Sequence, residues 1–198
     1  YGTTWRVLDK MQRTDWGQLA TELEQNAQER LMLETEPATP RREEALSRLR
    51  EQYSSLFHSF FDSVWTSAAW RSGDAETAAA WMASPSVSVF DKCTFVSAVG
   101  LGACEVFDVR KVSFLLSLSI SADVAVRVRA QVGGTLAFVA HAEECRLYPE
   151  LMAQWTLLSD EPGFVHSMLE LQIQLWQSLD TQRVEKNLRE EIFPEMMK

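Results

Sequence analysis

Apolar residues recur at steps of three and four along most of this chain, and the polar positions between them carry charge. From Thr4 to about Glu34 the apolar positions are Trp5, Leu8, Met11, Trp16, Leu19, Leu23, Ala27 and Leu31, the pattern of one helical face. Asp15 is a capping residue and Gly17 weakens a helix interior, so a break is expected near Thr14-Asp15. Glu36-Pro37-Ala38-Thr39-Pro40 ends this segment, because neither proline can continue a helix. A long stripe follows from Arg42 to Ser72 through Leu46, Leu49, Tyr53, Phe57, Phe60, Val64 and Trp65. These two stretches predict an N-terminal helical hairpin over 4–72.

Ser72-Gly73-Asp74 is a stop followed by a start, and Asp74 to Ser84 reads as a short Ala-rich helix ending before Pro85. Ser86-Val87-Ser88 offers a cap for a helix over Val89 to Phe107, with Gly100 and Gly102 inside it. Those glycines either loosen the helix or let a neighbour approach closely. Phe114 to Ile120 and Val124 to Arg129 alternate at period two, which on its own predicts a β-hairpin across Ser121-Ala122-Asp123. The same residues fit helices, with Val124, Val128, Val132, Leu136 and Val139 as a stripe expected to be buried. Ala122 to His141 is long for a strand and lies between helical neighbours, so helix is preferred. Further helices are expected from Pro149 to Ser159, from Pro162 through Leu179, and after Asp180.

The segments 74–107, 108–141 and 146–180 share a plan: a short helix, a polar break, a long helix. Their period of roughly 34 to 40 residues is that of helical-hairpin repeats. The expected fold is therefore all-α, an α-α superhelix of HEAT-like helical hairpins with about eight or nine helices. The alternative is α+β with a hairpin at about 112–130. One helical-repeat domain over 1–198 is predicted: the hairpin 4–72, stacked pairs 74–107, 108–141 and 146–180, and a terminal helix 181–195. The lack of an initiating Met predicts a piece of a longer protein.

Asp123-Val-Ala-Val-Arg127-Val-Arg-Ala130 resembles the opening of the second helix of a HEAT repeat, where Asp, Val-Arg and Ala recur in that order. Residues from about 86 to 198 resemble a segment of uncharacterised bacterial proteins usually labelled tetratricopeptide-repeat proteins. The carrying stretches include Asp91-Lys-Cys-Thr-Phe-Val-Ser-Ala, Phe107-Asp-Val-Arg-Lys, Leu147-Tyr-Pro-Glu-Leu, Leu158-Ser-Asp-Glu-Pro-Gly-Phe-Val and Glu191-Ile-Phe-Pro-Glu-Met-Met-Lys. The resemblance implies an α-solenoid region of a longer bacterial protein and implies no reaction.

Charge narrows the partners. The net charge of −9 argues against nucleic acid, whose phosphates demand a basic surface. No apolar run reaches the roughly 18 residues of a membrane helix, so no membrane contact is expected within this segment. Cys93, Cys104 and Cys145 sit in or beside apolar runs without a CxxC pair, which predicts buried reduced thiols and a cytoplasmic setting.

Candidate chemistry is sparse. His141-Ala-Glu143-Glu144-Cys145 crowds possible ligands into five residues at a helix-to-loop junction, the wrong spacing for convergence on zinc. His58 lies amid an aromatic stripe and His166 early in a helix, neither beside a nucleophile. Gly100-Leu-Gly102 and Gly133-Gly134 lack the strand-loop-helix setting and the Lys of phosphate loops. No catalytic, cofactor-binding or metal residue and no cofactor is predicted, and no enzyme. The expectation is a scaffold or protein–protein interaction module with an unidentified protein partner. The alternative is a regulatory or structural part of an enzyme whose chemistry lies outside this segment. Trp and Arg favour interface hot spots, so Trp70, Arg127 and Arg129 are the candidate interaction residues. Trp65, Trp155 and Trp176 stand on helical stripes and are expected in the core.

Overall fold

The computed structural model describes residues 15–187 except 68 and 72. Among the described residues there are nine helices and no strand, so the chain is all-α. They are α1 Trp16–Thr35, α2 Pro40–Thr66, α3 Asp74–Ala83, α4 Val89–Glu105, α5 Val109–Leu118, α6 Val124–Ala140, α7 Ala142–Cys145, α8 Pro149–Ser159 and α9 Pro162–Asn187. The positions Trp5, Leu8 and Met11, and the terminal segment beyond 187, lie outside the described residues. Where the sequence predicts one domain, the chain divides into two compact units, residues 1–156 and 157–198.

Capping side chains set the starts. Asp15 accepts from the Gly17 amide, Thr39 from Arg42, Ser88 from Asp91, and Asp123 from Ala125 and Val126. Each satisfies amides that a helix leaves unpaired at its first turn. Residues 112–130 are helical on both sides of Ser119–Asp123, which excludes the hairpin alternative. Gly73 starts α3 with φ +93, a left-handed conformation that glycine adopts without a Cβ penalty.

In the first unit the helices form two layers. Trp16 meets Phe60 and the Asn26 amide donates to the Leu49 carbonyl, so α1 and α2 are antiparallel. Gln131 donates to the Ser119 carbonyl and Gly134 abuts Leu115, so α5 and α6 are antiparallel too. Tyr53 bonds Asp91 and Phe60 stacks on Phe95, which makes α2 and α4 parallel. Gly100 faces Gly133, and the Cys104 carbonyl meets His141 at the end of α6, which makes α4 and α6 parallel. One layer is thus α2, α4 and α6. The other is α1, α3 and α5, and α3 packs its backbone mainly on these two neighbours rather than on α4, its expected hairpin partner.

The core between the layers is a cluster of rings. Trp16, Phe60, Trp70, Trp81, Phe95 and Phe114 interlock with centroids 5.0 to 6.3 Å apart. Each of α1 to α5 supplies one ring, and the α2–α3 connection supplies Trp70. Trp70 is only 2% exposed, which overturns its assignment as an interaction residue. Its position at the end of a stripe puts it over the core, because the chain turns back there.

At the edge of this core the Tyr53 hydroxyl donates to Asp91 at 2.7 Å and Arg30 lies over its ring. Burial, then the Asp91 carboxylate, push the Tyr53 hydroxyl up in pKa. The folded state therefore keeps a proton that the unfolded chain loses above about pH 10. This contribution is complete below that pH and is lost as pH rises beyond it. We expect Tyr53→Phe to cost about 1 kcal/mol near neutrality. The variant should then lose less stability than the parent between about pH 9 and 11, by urea denaturation at each pH.

In the second unit, α9 runs unbroken from Pro162 to Asn187, so the helix boundary expected after Asp180 is absent. Phe164 is buried, while Val165, Leu169, Ile173 and Trp176 are exposed on another side of the helix. Trp176 is 62% exposed, which corrects its assignment to the core.

Candidate interaction surface

The groups expected to be chemically idle are held in structural roles. The His58 ring contacts the Ser54 carbonyl, and His166 pairs with Glu170 on the surface of α9. His141 reaches the Cys104 carbonyl at 3.1 Å and packs on Phe107. Cys93 and Cys145 are buried and Cys104 is half-buried, all as free thiols. Burial, reinforced by Glu105 and Glu144 respectively, pushes the Cys104 and Cys145 thiols up, away from the thiolate that reacts. Among the described residues no three His, Cys, Asp or Glu side chains converge as metal ligands. No described helix is long and apolar enough to cross a membrane.

The Asp108-Val-Arg-Lys stretch is an anchor. One Asp108 carboxylate oxygen accepts from the Arg110 and Lys111 amides, capping α5, and the other accepts from the Trp70 amide. Arg110 donates to the Trp70 carbonyl and buried Lys111 to the Ser67 carbonyl. Three polar side chains within four residues thus hold the α2–α3 connection against α5, which locks Trp70 into the ring cluster.

The glycines mark close approach. A Cβ on Gly100 would stand 3.2 Å from the Gly133 Cα, and one on Gly102 would stand 2.7 Å from the Trp65 carbonyl oxygen. The buried side of α6 carries Ala130, Gly134 and Ala137 together with Val126, Gln131 and Phe138. The stripe expected to be buried is on the other side. Val124, Val128 and Val139 are 60%, 48% and 65% exposed, Leu136 is exposed, and Val132 is half-buried. At 100° per residue these five fall within an arc of about 120° that carries no charge. Large exposed apolar patches of this kind mark places where another molecule binds.

Arg129 borders this arc, exposed, with one 3.4 Å contact to the Ala125 carbonyl. Arg127 points back and donates to the Ser121 carbonyl at 2.8 Å, bracing the turn between α5 and α6. Of the expected interaction residues, then, Arg129 lies beside the exposed face, Arg127 supports it, and Trp70 is remote from it. Periodicity alone missed this face, because both sides of α6 are apolar. Ala130, Gly134 and Ala137 mark the tight contact, whereas valines stand on both sides, Val126 packed and Val124, Val128 and Val139 open.

A groove lies between α3 and α5. Ala75 and Ala79 face Ser113 and Ser117 across a groove of about 560 Å³. It continues past Ala79, Phe114 and Ser117 into a pocket of about 360 Å³ floored by Met82, Leu118 and Val126. Its charges are mixed, with Glu76, Arg110 and Glu150 at one end and Lys92 and Asp123 at the other.

No family model, curated protein or solved structure matches the chain.

Proposed function

We propose that this chain is a non-catalytic scaffold, a HEAT-like α-solenoid segment that holds a protein partner along α6. The uncharged, exposed face of Val124, Val128, Leu136 and Val139 carries the reading. The layered antiparallel pairs of the first unit support it, since stacked helix pairs present extended surfaces to partners. The polar groups around Asp108 are taken up by hydrogen bonds that hold the α2–α3 connection.

The test is cross-linking mass spectrometry on partners captured by the full chain and by Val128→Asp. Val128 is about half exposed, so the substitution leaves the helical circular dichroism and Tm near those of the parent. Captured partners should cross-link around α6 and lose at least tenfold in occupancy on the variant. Retention of the same partners at the same occupancy overturns the assignment. So does a defined hydrolytic or metal-dependent activity in the purified chain.

A further inference from the structure

We infer that the α6 face takes an amphipathic helix whose apolar stripe is bordered by acidic residues. This rests on the interaction reading above and adds the chemistry of the occupant. The exposed stripe from Val124 to Val139 spans about 22 Å at 1.5 Å per residue, the length of a four-turn helix. A convex helical ridge of Val124, Val128, Leu136 and Val139 accepts a second helix through its own i, i+3, i+4 anchors.

Charge decides the flanks. The α6 segment VAVRVRAQVGGTLAFVA contains two arginines and no acidic residue, in a chain of net charge −9. Among the described residues neither Arg127 nor Arg129 forms an ion pair; their guanidinium contacts are to the Ser121 and Ala125 carbonyls. Arg129 is exposed at the border of the stripe, where a partner carboxylate would meet it at the rim of the contact. A second copy of this chain is disfavoured, because its α6 offers no acidic residue to meet Arg129 and would bring a second Arg129 to the contact.

The test uses two synthetic 18-residue helices stabilised by side-chain lactam bridges, each with leucines at i, i+4, i+7 and i+11. One carries glutamates on both borders of the stripe and the other lysines. Fluorescence anisotropy against the full chain should show saturable binding of the glutamate peptide, with the lysine peptide about tenfold weaker. The gap should close at about 0.5 M salt, where charge is screened within a few ångströms. Arg129→Glu should reverse the preference, and Val128→Asp should abolish binding of both peptides. Equal affinity for the two peptides, both lost in Val128→Asp, overturns the acidic preference and leaves the interaction face standing. Absence of saturable binding, or binding indifferent to Val128→Asp, overturns both. Sedimentation showing a dimer that Val128→Asp dissociates assigns the face to a second copy and overturns the inference.

Discussion

Gly102→Ala should destabilise the first unit by about 2–3 kcal/mol, although alanine in a helix interior ordinarily gains about 1 kcal/mol over glycine. The new methyl would stand 2.7 Å from the Trp65 carbonyl oxygen and 3.2 Å from the Lys111 Nζ. The carbonyl belongs to the last turn of α2 and cannot withdraw alone. Relief means moving α2 and α4 apart, which opens the ring cluster that both feed. The sign is therefore reversed from the propensity expectation. Guanidinium denaturation followed by circular dichroism measures it, and Gly163→Ala is the control. A Cβ at Gly163 meets nothing within 4 Å, so that substitution should be neutral or slightly stabilising. Equal effects at the two positions would refute the packing argument.

Asp108→Ala should be costlier still, at about 3–4 kcal/mol. A helix cap is worth about 1 kcal/mol, and each buried amide left without its acceptor adds roughly 1–3. Asp108 serves three amides at once, those of Trp70, Arg110 and Lys111. Asp108→Asn keeps an acceptor oxygen for part of this set and should lose about half as much. Trp70 fluorescence offers a second readout: in the alanine variant the α2–α3 connection should release the indole towards water at denaturant concentrations where helicity persists. A variant that melts with unchanged Trp emission until the global transition would show that Asp108 only caps α5.

Much of the architecture was legible in the pattern of residue types. Asp15, Ser88 and Asp123 mark helix starts, and the Pro and Gly clusters mark the breaks. The α5–α6 region was the hardest, since Val124, Val126 and Val128 alternate as a strand would. The structure explains the alternation without a strand: Val126 faces the core, while Val124 and Val128 stand on the open side of the same helix. Burial was assigned to the larger residues, and there the reading failed. Where α4 and α6 meet at Gly100 and Gly133, α6 buries Ala130, Gly134 and Ala137 beside Val126 and Phe138, and Val124, Val128 and Val139 stand on its open side. Trp176 was misplaced for a related reason, because α9 is apolar on more than one side and a stripe cannot say which side is covered. Trp70 was misplaced because its burial depends on a turn held by Asp108, Arg110 and Lys111, a contact across about forty residues that no local pattern encodes.

Stacked-repeat proteins commonly unravel in stages, because each repeat touches only its neighbours. The ring cluster gives this chain a different failure mode. Trp16 stacks on Trp70 and also touches Phe60 and Phe95, and Phe95 reaches Phe114 in turn. A single centre is thus shared by five successive helices, and none of them can leave without exposing rings from the others. Helices α1 to α5 should consequently melt in one calorimetric step. Trimming this segment repeat by repeat will not yield smaller folded pieces, so any binding study needs the whole first unit, residues 1–156.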